Sequence, residues 1–158
     1  MTTIPFSANG NTAFEKLLGH NPAILTHWNL LEETLWTETG PDRNLLEQIR
    51  RAMAFENGCR YCMVKAGKPD FDASQLKISL AVFFAELFSK DYTSVLPAHF
   101  DLLREYFTDT EISGLCAFIA FVNASQRMGR IFNLSENHQT HALSEPEDKD
   151  KRQDIGSN

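Results

Sequence analysis

Apolar residues recur every three or four positions along most of this chain, which is the spacing of one face of an α-helix. The first such stripe begins after Asn21-Pro22, an N-cap residue followed by proline at the first helical position. Its members are Ile24, Leu25, Trp28, Leu31, Leu35 and Trp36. No window alternates apolar and polar residues over strand length with turn signals at both ends. The sequence therefore predicts an all-α fold.

Turn-forming and capping residues divide the remaining sequence into further helices. Gly40-Pro41-Asp42 is predicted to end the first helix, and Asn57-Gly58 the next. A short helix then runs from Cys59 to Gly67, and another begins at a cap formed by Asp72 or Ser74. Pro97 starts a further helix, and Thr108 or Asp109 caps the last one, which ends near Phe132. The segments 76–88 and 112–122 are apolar nearly all round, so we expect them to be central helices or subunit interfaces.

The charge distribution divides the chain into two parts. Residues 134–158 hold six acidic and three basic side chains and few aliphatic ones. Such a segment buries too little apolar surface to offset its ordering entropy, so it is predicted to be a largely disordered tail. Residues 1–133 are predicted to form one helical domain, as the total length of 158 residues suggests.

Composition excludes several classes of partner. The net charge of −6 and pI near 5.3 argue against nucleic acid and anionic membranes, which select basic faces. The longest apolar run, 115–122, is too short to span a bilayer. The first residues carry neither a basic region nor a continuous apolar stretch, so we expect a cytoplasmic protein without a secretory signal. The sequence contains no motif for an organic cofactor and no phosphate-binding loop, so we expect the protein to bind no cofactor.

The sequence Cys59-Arg-Tyr-Cys62 is the clearest chemical signal. Two cysteines three residues apart in a chain of this kind indicate redox or metal chemistry rather than a structural disulfide. Because Asn57-Gly58 ends the preceding helix, Cys59 is expected at the next helix N-terminus, where the helix dipole favours a thiolate. Lys65 can share a helix face with Cys62. The alternative reading is a pair of inert thiols in a core helix.

The context of the pair resembles a known superfamily. Residues 46–62, Leu-Glu-Gln-Ile-Arg-Arg-Ala-Met-Ala-Phe-Glu-Asn-Gly-Cys-Arg-Tyr-Cys, resemble the signature of the carboxymuconolactone decarboxylase / AhpD-like superfamily. Residues 103–112, Leu-Arg-Glu-Tyr-Phe-Thr-Asp-Thr-Glu-Ile, and 117–127, Ala-Phe-Ile-Ala-Phe-Val-Asn-Ala-Ser-Gln-Arg, resemble its last two helices. The resemblance covers roughly residues 20–133, in the family's order and spacing.

This resemblance implies thiol-dependent reduction of organic hydroperoxides by an all-helical, AhpD-like subunit that assembles into trimers or hexamers. It implies that Cys62 attacks the peroxide, that Cys59 resolves the product into a disulfide, and that Glu47 is the relay glutamate. It also implies a hydroperoxide substrate and a dithiol electron donor. Without the resemblance, Glu47 would read as an ordinary surface ion pair with Arg50 and Arg51.

One position departs from the family pattern. The family's relay histidine stands four residues after the second cysteine, where this chain has Ala66. Slow turnover is therefore expected, with Tyr61, Lys65 or a water held by Glu47 as the candidate proton donors. His27 and His99 are the histidines of the helical domain most able to substitute, although each is more typical of a polar helix face.

Three other functions remain open. His138-Gln-Thr-His141 together with Cys59 and Cys62 offers four zinc ligands, although the spacing of the histidines is tight. A decarboxylase or isomerase of the same superfamily is the second alternative, and a non-catalytic oligomeric redox or interaction protein is the third. Cys116 is expected to be a buried, inert thiol.

Overall fold

The computed structural model describes residues 1–135, which form seven α-helices and one short 3₁₀ turn and contain no strand. The helices are α1 (Ala13–Leu18), α2 (Pro22–Thr37), α3 (Arg43–Glu56), α4 (Arg60–Ala66), α5 (Leu76–Lys90), α6 (Pro97–Arg104) and α7 (Asp109–Ile131), with the 3₁₀ turn at Tyr92–Ser94. The all-α prediction is confirmed. Of the predicted tail at 134–158, residues 136–158 lie outside the described residues. No helix in 1–135 has the length and hydropathy needed to cross a bilayer.

Helix starts follow the capping residues that the sequence offers. The side chains of Asn21 and Asp42 accept hydrogen bonds from backbone N–H groups of α2 and α3, and Thr108 forms a capping box with Glu111 at the start of α7. The predicted cap of α5 is wrong. Asp72 accepts from the N–H of Ser74 in the preceding turn, and α5 begins after Gln75 without a side-chain cap.

The main core lies where α3, α5 and α7 meet, with α2 and α6 packed on its sides. Its fully buried side chains come mainly from the apolar stripe of each helix. The largest are Phe84, Phe118, Leu45, Leu46, Ile49, Met53, Leu103, Leu115 and Ile119. The two strongly apolar segments are therefore central helices, as predicted.

The stripe on α2 is less buried than its spacing suggests. Leu35 is buried and Trp36 packs edge-on against Phe118, but Ile24 and Leu31 are about half exposed. This helix therefore carries apolar surface that the described chain leaves uncovered.

A second, smaller cluster forms around α1, a helix that the sequence analysis does not predict. Thr12 and Glu15 make a capping box at its start, and Leu17 packs with Cys59 and Leu134. Leu134 is buried although the predicted domain ends at 133. The chain before α1 is fixed to the end of α7, because the N–H of Thr3 donates to the carbonyl of Phe132.

Candidate functional site

A disulfide between Cys59 and Cys62 lies at the N-terminus of α4. Cys59 is the N-cap, and its Sγ accepts a hydrogen bond from the N–H of Cys62 at 3.3 Å. Gly58, with φ of 60°, makes the sharp turn from α3 into this cap. The helix break predicted at Asn57-Gly58 and the placement of Cys59 are thus confirmed.

The two sulfurs have different surroundings. Cys59 has 0% of its surface exposed, whereas Cys62 is only partly buried. Gly129 of α7 covers the pair, since a Cβ at this position would lie 2.9 Å from the Sγ of Cys59 and 3.6 Å from the Sγ of Cys62. A larger residue at this position would crowd the sulfur of Cys59, so glycine allows α7 to pack directly on it.

We expect Gly129→Ala to lower the free energy of unfolding by about 2 kcal/mol, because the added methyl group overpacks against a sulfur that cannot move into solvent. Thermal or denaturant unfolding of the oxidised protein measures this. The control is Ala124→Gly at an exposed position of the same helix, which should cost about 1 kcal/mol through helix propensity alone. A Gly129→Ala protein as stable as the parent would contradict the close contact.

Cys62 lines a cavity of about 130 Å³ that is bounded by residues of α1, α2, α3, α4 and α7. Cys59 is not among the lining residues. The apolar walls are four aromatic side chains, Phe14, Trp28, Trp36 and Phe121. The Nε1 of Trp28 is buried and has no hydrogen-bond partner within residues 1–135. The cavity therefore brings one cysteine of the disulfide together with an aromatic wall.

Tyr61 and Lys65 also line this cavity. Tyr61 is 6% exposed, and burial raises the pKa of its phenol. The charges of Glu15 and Glu32 act in the same direction, while a hydrogen bond with the Thr12 side chain acts against it. The phenol is therefore protonated at neutral pH. Lys65 is exposed at the edge of the cavity.

Glu47 does not line the cavity. Its carboxylate accepts two hydrogen bonds from Arg50, at 2.7 and 2.8 Å, and one from Arg51 at 3.1 Å. Partial burial acts to raise the pKa of Glu47, but the hydrogen bonds and charges of both arginines outweigh it and hold the pKa below its ordinary value. Arg50 does line the cavity, so Glu47 contacts a residue of the site rather than the cavity itself.

Of the predicted site residues, Cys62, Tyr61 and Lys65 line one cavity. Cys59 lies behind Cys62, and Glu47 contacts the cavity residue Arg50 without lining the cavity itself. Ala66 is buried. Neither candidate histidine compensates for it. His27 is exposed, and His99 accepts a hydrogen bond from the N–H of Leu96 at the start of α6, away from the cavity lining.

Several residues of the site are missing from the sequence analysis. Thr12, Phe14 and Glu15 of α1 form one wall, and the spacing Thr-x-x-Glu of a capping box is the signal that could have revealed this helix. Glu15 accepts hydrogen bonds from the N–H groups of Asn11 and Thr12, and these outweigh the effect of partial burial, so its pKa is lowered. No sequence signal marks Gly129.

The remaining cysteine and the possible metal ligands lie elsewhere. Cys116 is half-buried rather than fully buried, and burial raises the pKa of its thiol. Within residues 1–135 no group of three or more histidine, cysteine or acidic side chains is arranged to hold a metal ion. His138 and His141 lie outside the described residues.

The fold is similar to that of a protein from Silicibacter sp. TM1040 described as an uncharacterized peroxidase-related protein. The TM-score is 0.67 with 19% sequence identity, over 75% of this chain and 73% of that one. No family model and no curated protein matches the sequence. At this identity the likeness concerns the fold. The chain thus has the all-helical fold of that peroxidase-related protein, consistent with the AhpD-like subunit that the resemblance implies.

Proposed function

We propose that this protein is a thiol-dependent peroxidase that reduces organic hydroperoxides through Cys62 and Cys59. The observation that carries the proposal is the asymmetry of the pair, with Cys62 facing an aromatic cavity and Cys59 buried behind it. A substrate entering the cavity meets one sulfur first. The buried sulfur stays within bonding distance of its partner and away from other oxidants.

The reaction has two steps. The Cys62 thiolate attacks the terminal peroxide oxygen, the O–O bond breaks, and one proton converts the departing alkoxide to an alcohol, leaving Cys62 as a sulfenic acid. The Cys59 thiol then attacks the Cys62 sulfur and releases water, which forms the disulfide. Each turnover oxidises two thiols by two electrons, and an external dithiol returns them.

Tyr61 and Lys65 are the proposed proton donors for the departing alkoxide. The raised pKa of Tyr61 keeps its proton available at neutral pH, and Lys65 adds positive charge at the edge of the cavity. The proposed role of Glu47 is to position a neighbouring side chain, not to relay a proton. Its carboxylate orients the guanidinium of Arg50, a residue that lines the cavity.

The test is oxidation of the reduced protein by a few equivalents of cumene hydroperoxide, stopped with a thiol-alkylating reagent and mapped by mass spectrometry. We expect the protein mass to fall by two hydrogens within seconds to minutes, and peptide mapping to locate the loss at Cys59–Cys62. Cys116 should stay reduced and become alkylated when the reaction is stopped, which makes it an internal control. If Cys59 and Cys62 remain reduced, the proposal fails.

A second candidate function is that of an oligomeric redox or interaction protein, favoured by the apolar surface of α2. Ile24, Leu30 and Leu31 are 50%, 58% and 49% exposed. Assembly into trimers or hexamers would cover such side chains. Light scattering that shows a stable monomer would contradict the oligomer, and a crosslink that needs many minutes of peroxide treatment would favour this second function over catalysis.

A further inference from the structure

A second cavity, of about 400 Å³, lies between α5, α6 and α7 on a different face of α7 from the disulfide. Its walls are the rings of Phe84, Phe88 and Phe100, with Tyr92 and Val95 at the side. A volume of this order is large enough for a small organic molecule. The site is thus separate from the cavity of Cys62.

Arg127 lines this cavity, and hydrogen bonds fix the position of its guanidinium. The Nη2 of Arg127 donates to the carbonyl of Ser89 at 2.6 Å, and its Nε donates to the Oδ1 of Asn57 at 3.2 Å. A guanidinium carries five N–H donors, so three remain for another acceptor. No carboxylate within residues 1–135 forms an ion pair with Arg127. This exposed residue is therefore held in place by neutral oxygens, and no carboxylate of the described chain balances its charge.

Asn123 supplies an unused acceptor next to this charge. It lies one helical turn before Arg127 and lines the same cavity. Its Oδ1 is buried and has no hydrogen-bond partner within residues 1–135. Buried acceptors without partners are rare in folded proteins because each costs free energy. A bound molecule with an O–H or N–H group would satisfy it.

We propose that this cavity binds a small organic acid with an apolar body and a hydrogen-bond donor next to its carboxylate. The carboxylate would pair with Arg127, the donor would bond the Oδ1 of Asn123, and the apolar body would pack on Phe84, Phe88 and Phe100. A single cation in the lining and the acidic balance of the chain favour a monovalent anion over phosphate or a dicarboxylate.

Calorimetric titration of the full chain, with the disulfide intact, tests the ligand class. The probes are phenyllactate, hydrocinnamate, which lacks the hydroxyl group, and the diol in which the carboxylate of phenyllactate is reduced. We expect phenyllactate to bind most tightly, hydrocinnamate to bind several-fold more weakly, and the diol roughly tenfold or more weakly. The absence of saturable phenyllactate binding would overturn the proposal.

Two variants test the location. Arg127→Met removes the guanidinium. Asn123→Asp keeps the side-chain shape but places a carboxylate near Arg127, where it competes with the ligand. Each variant should weaken phenyllactate binding at least about tenfold. Arg130→Met is the matched control, since it removes the same charge from α7 outside the cavity lining and should leave the affinity unchanged. If Arg127→Met does not fold, Asn123→Asp alone carries the test.

Three results would overturn the assignment. Phenyllactate binding that Asn123→Asp leaves unchanged would place the ligand elsewhere. An equal loss in Arg130→Met would show a general effect of charge. Tyr92 is exposed at the rim of the cavity. If the protein forms an oligomer and Tyr92→Arg dissociates it, the cavity is a contact for a second copy of the chain.

Discussion

Cys62→Ser is expected to reduce the rate of hydroperoxide consumption roughly 1,000-fold or more, because it removes the proposed nucleophile. Cys59→Ser should behave differently. It retains the sulfur that lines the cavity and loses only the buried one. The variant should therefore consume one equivalent of peroxide and stop, with a sulfenic acid at Cys62 that dimedone can trap.

The comparison of the two serine variants is sharp because the substitution is chemically identical at both positions. Cys116→Ser is the control and should retain full turnover, since this half-buried thiol lies outside the cavity lining. A dimedone adduct at Cys59 in Cys62→Ser, formed as fast as the adduct at Cys62 in Cys59→Ser, would contradict the assignment of roles.

Gln126→Leu is expected to lower the free energy of unfolding by about 2 kcal/mol, since it leaves the buried Nδ2 of Asn57 without a partner and removes a second hydrogen bond from the carbonyl of Arg50. Gln126 is 3% exposed. Its Oε1 accepts from the Nδ2 of Asn57 at 3.0 Å, and its Nε2 donates to the carbonyl of Arg50 at 2.8 Å. Leucine fills a similar volume but can satisfy neither group.

Chemical denaturation of the variant and the parent measures this loss. Gln75→Leu makes the same substitution at an exposed position before α5, where water replaces the lost hydrogen bond, and should change stability by less than about 0.5 kcal/mol. A Gln126→Leu protein within that range would show that the buried bonds contribute little.

The parts of the structure that could be predicted from the sequence are those encoded within a few residues. Asn21-Pro22 and Thr108 begin helices because their side chains or ring geometry act on the next turn, and Gly58 ends one because it accepts a positive φ. The position of Cys59 at a helix N-terminus follows from the same local rules.

The parts that could not be predicted depend on contacts between distant segments. Asn57 and Gln126 are 69 residues apart, and nothing local to either one marks them as partners. The cover of Gly129 over Cys59 is of the same kind. For Glu47, the ion pairs with Arg50 and Arg51 could be predicted from their spacing in the sequence. That Arg50 lines the cavity and Glu47 does not depends on contacts between distant helices.

The cover over the disulfide has a consequence for biosynthesis. Cys59 and Cys62 leave the ribosome well before Gly129 and Leu134, which bury Cys59 in the finished fold. The thiols of the nascent chain are therefore open to cellular oxidants during translation. The bond they form spans a sequence separation of 3, so it closes a very small loop and restricts the rest of the unfolded chain little. Oxidation of the pair before the rest of the chain is made would thus restrict the folding of the later helices little.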